Sequence, residues 1–289
     1  MKIRAPAKIN LTLRVVGKRA DGYHLLDTIM VPVSLYDEIE IHQLHRTVSQ
    51  RCGAPSLIAI RCNHAQVPLG PDNIAYRAAE LLMRKAKIRH AVVIRIRKQI
   101  PVGAGLGGGS TDAAAVLIGL NRLWKLRLSV RQLEQLALQL GADVPFFIRA
   151  KPARARGIGE KLRLLPKVRP RWLVLIYPGF PVATAWVYRN LPSKLTKVSV
   201  NTSIATPLES LDKLDKLLIN DLEQVTVRRY PEISRVKSLL SLAGAAGVLM
   251  SGSGSSVFGV FESKRLAERA FRRMRQEEGV QAFLAHVLN

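Results

Sequence analysis

The spacing of apolar and polar residues changes several times along the chain, and each change marks an element. Residues 7–16 alternate, with Ile9, Leu11, Leu13 and Val15 in one phase and Lys8, Asn10, Thr12 and Arg14 in the other. A period of two predicts a half-buried strand and sets Lys8 beside Asn10 on one face. Strand-like runs follow at 28–33 and 37–42, whereas residues 45–63 show no pattern. A helical period begins at Ile74, with Ala78, Leu81 and Leu82, and Asp72 or Asn73 stands where its cap belongs. A strand over 91–98 leads through Pro101 into the stretch PVGAGLGGGSTDAAAVLIGLN. There glycines alternate with apolar residues and run into a segment from about Ser110 that is apolar almost all round, as a buried helix would be.

Ser129 with Gln132 forms a capping-box pattern before Leu133, Leu136, Ala137 and Leu140. After a strongly basic segment at 151–171 the pattern restarts with a strand at 172–177 and a Pro178-Gly179 turn. The aromatic run Trp186, Val187, Tyr188 follows, then helical periods at 208–222 and 232–242. A second glycine-rich turn at 250–256 sits between a short strand and another at 257–261, and a helix at 264–277 and a strand at 281–287 close the chain.

A chain of 289 residues exceeds the usual size of one core, so the composition shift near residue 155 reads as a boundary between domains 1–155 and 156–289. No apolar run approaches the length of a membrane span and the N-terminus has no apolar leader, which predicts a cytoplasmic protein with no membrane partner. Cys52 and Cys62 lack a ligand pattern and read as reduced thiols, and the segment between them matches no pattern. The net charge of +24 is extreme but divides evenly about residue 150. The segment 151–171 reads first as a solvated face, and so extreme a total charge can signal nucleic-acid or membrane-surface binding or reflect an anionic ligand or the protein's habitat.

The candidate chemistry starts from the glycines at 103, 105, 107, 108 and 109. They let the backbone take positive φ and approach a ligand closely. The helix that follows offers unpaired N–H groups and the positive end of its dipole, which together favour an anion such as phosphate. Ser110 and Thr111 add hydroxyls, and Asp112 falls in the first turn. The lysine-bearing P-loop does not fit, because Gly109 stands where its lysine belongs, and a dinucleotide fingerprint lacks its acidic residue. In LGADVPFF, Asp143 has apolar company that asks for a partner. Lys8 is a candidate, although a turn aspartate capping a backbone amide fits equally well. Asp21-Gly22 marks a turn ahead of Tyr23 and His24, which can frame a flat ligand.

These motifs together resemble the GHMP kinase superfamily. The resemblance runs nearly end to end: APAKINLTL and RADGYH, the glycine stretch, LGADVPFF, RGIGEKL, YPGFPVAT, NDLE and GVLMSGSGSSVFG. Within the superfamily the set is similar to the branch acting on a cytidine diphosphate derivative of methylerythritol. The resemblance implies an α+β, two-domain fold. Its N-terminal domain would be like ribosomal protein S5 domain 2 and bind ATP, its C-terminal domain would help bind substrate, and the ligand site would lie in the cleft between them. It implies ATP-dependent phosphorylation of the 2-hydroxyl of the methylerythritol unit, with Asp143 as base and Lys8 as its catalytic companion. Pro101, Val102, Gly103, Ala104, Gly105, Leu106, Gly107, Gly108, Gly109, Ser110 and Thr111 would hold the ATP phosphates. Mg2+ would bridge them, with Ser110 or Thr111 in reach, and Asn73 and Lys98 would fall near adenine. Asn10, Tyr23, His24 and Tyr188 would line the substrate site. The implied partner is a small molecule, with no specific nucleic acid, acting on a monomer or homodimer. A kinase of the homoserine or mevalonate class, and a basic nucleic-acid-binding protein with an S5-like domain, are the alternatives.

Overall fold

The computed structural model describes residues 1–47, 57–166, 171–192 and 218–289. The chain forms two compact units that interleave in sequence. One holds Met1–Ala7, Tyr36–Val102 and Gly107–Ala150, and the other Lys8–Leu35, Gly103–Leu106 and Lys151–Asn289. The chain changes unit inside its two long strands, β1 (Lys2–Lys18) and β2 (His24–Thr47), and on either side of Gly103–Leu106.

In the first unit β3 (Ile58–Cys62) runs parallel to β4 (His90–Arg97), which pairs antiparallel with the second half of β2 in the register Glu38↔Arg97 and Ile39↔Ile96. Helices α1 (Ile74–Ala86), α2 (Gly108–Leu123), α3 (Val130–Leu138) and α4 (Val144–Arg149) complete it. The helix starts follow from local chemistry. Asn73 Oδ1 accepts from Ala75 N at 2.8 Å, and Ser129 and Gln132 make the reciprocal capping box. Helix α2 buries Ala113 to Leu117, Gly119 and Leu120. A Cβ at Gly119 would lie 2.6 Å from Ile41 and 2.7 Å from Ile3, so the missing side chain lets the helix close onto the sheet.

In the second unit the first half of β2 pairs with β5 (Ala153–Gly157), β5 with β6 (Lys161–Leu164), and β1 with the two-residue β8 (Ile219–Asn220). A separate antiparallel sheet has the order β11 (Gln281–His286), β7 (Trp172–Tyr177), β10 (Val257–Phe261), β9 (Gly247–Met250). Its inner strands are the continuous apolar runs WLVLIY and VFGVF, as expected of strands covered on both faces. Helices α5 (Thr184–Arg189), α6 (Glu223–Arg229), α7 (Glu232–Leu242) and α8 (Lys264–Met274) belong to the same unit.

Several expectations change. The runs at 28–33 and 37–42 are one strand, because Val33, Leu35, Asp37, Ile39 and Ile41 keep a single buried phase with no breaker between them. Part of the stretch that showed no pattern forms β3. Strand β1 is buried on both faces from Ala7 to Leu13, so Lys8, Asn10 and Thr12 are as enclosed as the apolar phase. The aromatic run at 186–188 lies in α5. Of the helical pattern at 208–222, residues 208–217 lie outside the described residues, and 219–220 are strand. Cys52 is also outside them, while Cys62 ends β3 half-buried. Among the described residues no helix is long and apolar enough to cross a membrane.

Candidate active site

The glycine-rich stretch meets three different demands. Gly103, Gly105 and Gly107 take φ of +65°, +76° and +73°, which residues with a Cβ rarely adopt. Gly107 is the residue before α2 and supplies no side-chain cap, so nothing from its own side chain covers the first amides of the helix. Helix α2 starts at Gly108, two residues earlier than the expected Ser110. Ser110 is half-buried while Thr111 is 1% exposed, so of the two hydroxyls Ser110 is the one with access to a ligand.

Within the second unit, Gly103–Leu106 packs on the second glycine turn and its neighbours. Ser251 Oγ donates to Gly105 O at 3.0 Å, Ser256 N to Ala104 O at 3.2 Å, and Val182 N to Gly103 O at 2.9 Å. A Cβ on Gly105 would stand 2.0 Å from Ser251 O, and one on Gly103 2.7 Å from Pro181 Cβ. These two glycines are therefore required by the protein's own packing, whatever they do for a ligand. Sequence reasoning passed over Asn220, which organises the second turn. Its Nδ2 donates to Met250 O at 2.8 Å and Gly252 O at 2.7 Å, and its Oδ1 accepts from Leu222 N at 3.0 Å. The NDLE motif carried that signal, since a buried asparagine has to spend its polar groups on something.

Lys8 and Asn10 are brought together as their spacing predicts. Lys8, 5% exposed, donates from Nζ to Asn10 Oδ1 at 2.6 Å, and Asn10 Nδ2 donates to Thr28 Oγ1 at 2.8 Å. Thr28 Oγ1 in turn donates to the carbonyl of Thr12 at 2.6 Å. Lys8 is therefore not a solvated surface lysine. Its backbone N–H also donates to Leu106 O at 3.0 Å, which ties β1 to the glycine stretch. His24 and Tyr188 stack with ring centroids 5.3 Å apart at 26°, whereas Tyr23 stays 60% exposed. Burial, and then the nearby charge of Lys18, hold the His24 imidazole below its ordinary value of 6.5.

In the first unit, Asp143 occupies the N-cap position of α4 but makes no capping hydrogen bond, with Pro145 close behind. It is half-buried rather than enclosed. Asn73 and Lys98 both spend their side chains internally. Asn73 caps α1 and donates from Nδ2 to Pro68 O at 2.7 Å, and Lys98 Nζ pairs with Asp37 Oδ2 at 2.7 Å and Asp112 Oδ2 at 2.6 Å. Burial pushes Asp112 up to about 8 against the pull of Lys98. Burial alone would lower Lys98, but Asp112 and Asp37 more than offset it, so the ammonium holds its proton. Asp112 thus sits in the first turn as expected but faces a lysine, and its partner Asp37 was not anticipated.

Comparison with known proteins agrees with this architecture. The family model described as "GHMP kinases N terminal domain" matches residues 73–151 and that described as "GHMP kinases C terminal" matches 204–281, together more than half of the chain. Fold and glycine stretch are those of a GHMP-type small-molecule kinase, a class that uses ATP as phosphoryl donor. The chain is 48% identical over 96% of both lengths to a 4-diphosphocytidyl-2-C-methyl-D-erythritol kinase of Citrifermentans bemidjiense. It superposes over its full length, with 36% identity and a TM-score of 0.81, on a crystal structure of 4-(cytidine 5'-diphospho)-2C-methyl-D-erythritol kinase. A homoserine kinase from Cytophaga hutchinsonii, at 17% identity and a TM-score of 0.75, shares the fold alone. The chain belongs to the 4-diphosphocytidyl-2-C-methyl-D-erythritol kinase family.

Proposed function

We propose that this protein transfers the γ-phosphoryl group of ATP to the 2-hydroxyl of 4-diphosphocytidyl-2-C-methyl-D-erythritol, giving the 2-phosphate and ADP, in the non-mevalonate supply of isoprenoid precursors. The carrying observation is Lys8: a buried ammonium on a strand whose own amide bonds the glycine stretch at Leu106. One residue thereby links a cationic side chain to the backbone proposed to hold the phosphates.

In this reading Asp143 takes the proton from the acceptor hydroxyl, and Lys8 orients it and balances charge as it develops. Phosphoryl transfer asks mainly for in-line positioning and charge neutralisation, so a fixed cation and a fixed carboxylate suffice as side-chain chemistry. Residues 101–111 hold the phosphates through backbone amides at the start of α2. Among the described residues no cluster of three acidic, His or Cys side chains could hold a metal by itself. Mg2+ bound with ATP would supply charge neutralisation at the phosphates. Ser110, the accessible hydroxyl of the pair, fits as its protein ligand. Asn10 orients the acceptor, with Tyr23 at the rim, and the His24–Tyr188 pair offers aromatic faces to cytosine. The reading includes a division of labour, with ATP bound by residues 1–155 and substrate recognition shared with 156–289. Asn73 and Lys98 stand near the adenine. The protein acts in the cytoplasm as a monomer or homodimer, without a specific nucleic-acid partner.

The test is ADP release with Mg·ATP and the cytidyl substrate, beside homoserine, mevalonate and no acceptor. Release is expected with the cytidyl substrate alone. Asp143→Asn and Lys8→Ala should each lower kcat by about 10²-fold or more, because a positioned acid–base group contributes that much. Release with homoserine or mevalonate instead would move the assignment to those classes, and wild-type turnover by Asp143→Asn would remove Asp143 as the base.

A further inference from the structure

A buried charge cluster lies at the start of α2. Lys98, at the end of β4, pairs with Asp37 of β2 and Asp112 of α2, and the three side chains are 4%, 0% and 4% exposed. Asp37 does more than pair. Its Oδ1 accepts from both Gln99 N at 2.7 Å and Ile100 N at 2.9 Å, the two amides that precede Pro101. Asn63 clamps the same segment from β3's side, accepting from Lys98 N at 2.6 Å and donating to Lys98 O at 3.4 Å. A Cβ at Gly108 would lie 2.9 Å from Lys98 Nζ, so the ammonium rests against the first residue of the helix. Among the described residues Asp112 Oδ1 has no hydrogen-bond partner, so the hydrogen bond of this buried side chain is the one that its Oδ2 accepts from Lys98.

Burying three ionisable groups is costly, and apolar residues of similar size would often hold a fold as well. What the cluster does that apolar residues cannot is fix direction. Two carboxyl groups and an ammonium join the entry to the glycine stretch, residues 98–100, to the first turn of the helix that leaves it. The segment between the two anchors is therefore held at both ends.

We propose that Asp37, Lys98 and Asp112 are positioning residues for ATP, which fix the direction of the first amides of α2 without touching the nucleotide. This rests on the reading that the glycine stretch binds the ATP phosphates. It reassigns Lys98 from a nucleotide contact to a strut. Because backbone amides bind phosphate in the ground state and in the transition state alike, loosening the strut weakens ATP binding more than it slows the chemical step.

The experiment uses the full chain carrying Asp37→Asn, Asp112→Asn, Asp112→Ala, or Asp37→Asn with Asp112→Ala. Calorimetric affinity for Mg·ATP is measured, with kcat and KM for each substrate and the melting temperature. Each asparagine leaves Lys98 one carboxylate and keeps the side-chain volume, so these variants retain the fold. At position 37 the amide cannot accept from the ammonium and from two backbone N–H groups at once. Asp37→Asn is expected to weaken ATP affinity about 10-fold, the scale of one hydrogen bond to a charged group. Its kcat and acceptor KM should stay near wild type. Asp112→Asn, which still accepts from Lys98, should stay near wild type, Asp112→Ala should match Asp37→Asn, and the double variant should be no worse than either. Wild-type ATP affinity in Asp37→Asn, or losses spread equally over both substrates and stability, would overturn the inference alone. A wild-type protein that binds no Mg·ATP would overturn the cradle reading and the inference with it.

Discussion

His24 shows how a single ring carries both packing and chemistry. It stacks on Tyr188, and burial, followed by Lys18, holds its pKa below 6.5. The sign follows directly. A depressed value means that the fold favours neutral imidazole, so its contribution to stability is present above the ordinary value and is lost as pH falls through the folded one. An NMR titration of His24 should give a midpoint below 6.5, moving back up in Tyr188→Ala as the ring loses cover. A midpoint at or above that value in the wild type would contradict the stacking account. Other single residues were legible from period alone, had the phase been read for charge as well as for apolarity. Asp37 stands in the buried phase of Leu35, Ile39 and Ile41, Lys98 in that of Ile94, Ile96 and Ile100, and Asp112 begins a helix that is apolar almost throughout. Charges of opposite sign placed where apolar residues belong must find one another. Lys8 was harder to read, because a strict alternation also describes a strand with one wet face. What encloses it is tertiary packing, which the alternation does not encode.

The glycine stretch was recognisable as an element, but the reason for its glycines was only partly so. Close approach of a ligand and close approach of the chain itself demand the same residue type. At Gly105 the nearest obstruction is Ser251 O, 2.0 Å from a built Cβ, and that contact joins residues 146 apart in sequence. No local pattern reports such a neighbour. The distinction predicts different outcomes within one stretch. Gly105→Ala must accept φ of +76°, which costs roughly 1–2 kcal/mol for a residue with a Cβ, before the clash with Ser251 O is counted. Gly109→Ala meets only Ile74 Cδ1 at an ordinary 3.7 Å inside a helix, where alanine is favoured over glycine by about 1 kcal/mol. Urea unfolding of the full chain should therefore show Gly105→Ala clearly destabilised and Gly109→Ala as stable as wild type or more so. Equal stability of the two would mean that the turns at 103–106 and 251–256 do not constrain each other. Strand β2 failed to read as one element for the opposite reason, since its buried phase runs on from Val33 to Ile41 but the polar residues Ser34 and Asp37 imitated a break. The alternative fold-level reading, a nucleic-acid-binding protein with an S5-like domain, gives no account of why Lys8 should be buried against Asn10.

The net charge of +24 is the one global property that the family and the site leave unexplained, and it has a consequence for both proposed substrates. Mg·ATP and a cytidine diphosphate derivative are both anions, so a strongly positive protein raises their local concentration and speeds encounter without changing the bound complex. Exposed charges more than a Debye length apart are screened, and that length falls from about 10 Å at 0.1 M salt to about 3 Å at 1 M. The Lys98 cluster and Lys8 are buried and escape most of this screening. Raising ionic strength should therefore lower kcat/KM for both substrates while leaving kcat nearly constant, in steady-state assays with a neutral osmolyte as control. Polyanions such as single-stranded DNA should bind weakly and be lost over the same salt range. If instead nucleic acid bound tightly, with a steep linear fall of log affinity against log salt, the charge would be serving a dedicated surface. If kcat fell along with kcat/KM, screening would be reaching the buried cations, and the enclosure of Lys8 and Lys98 would not persist in solution.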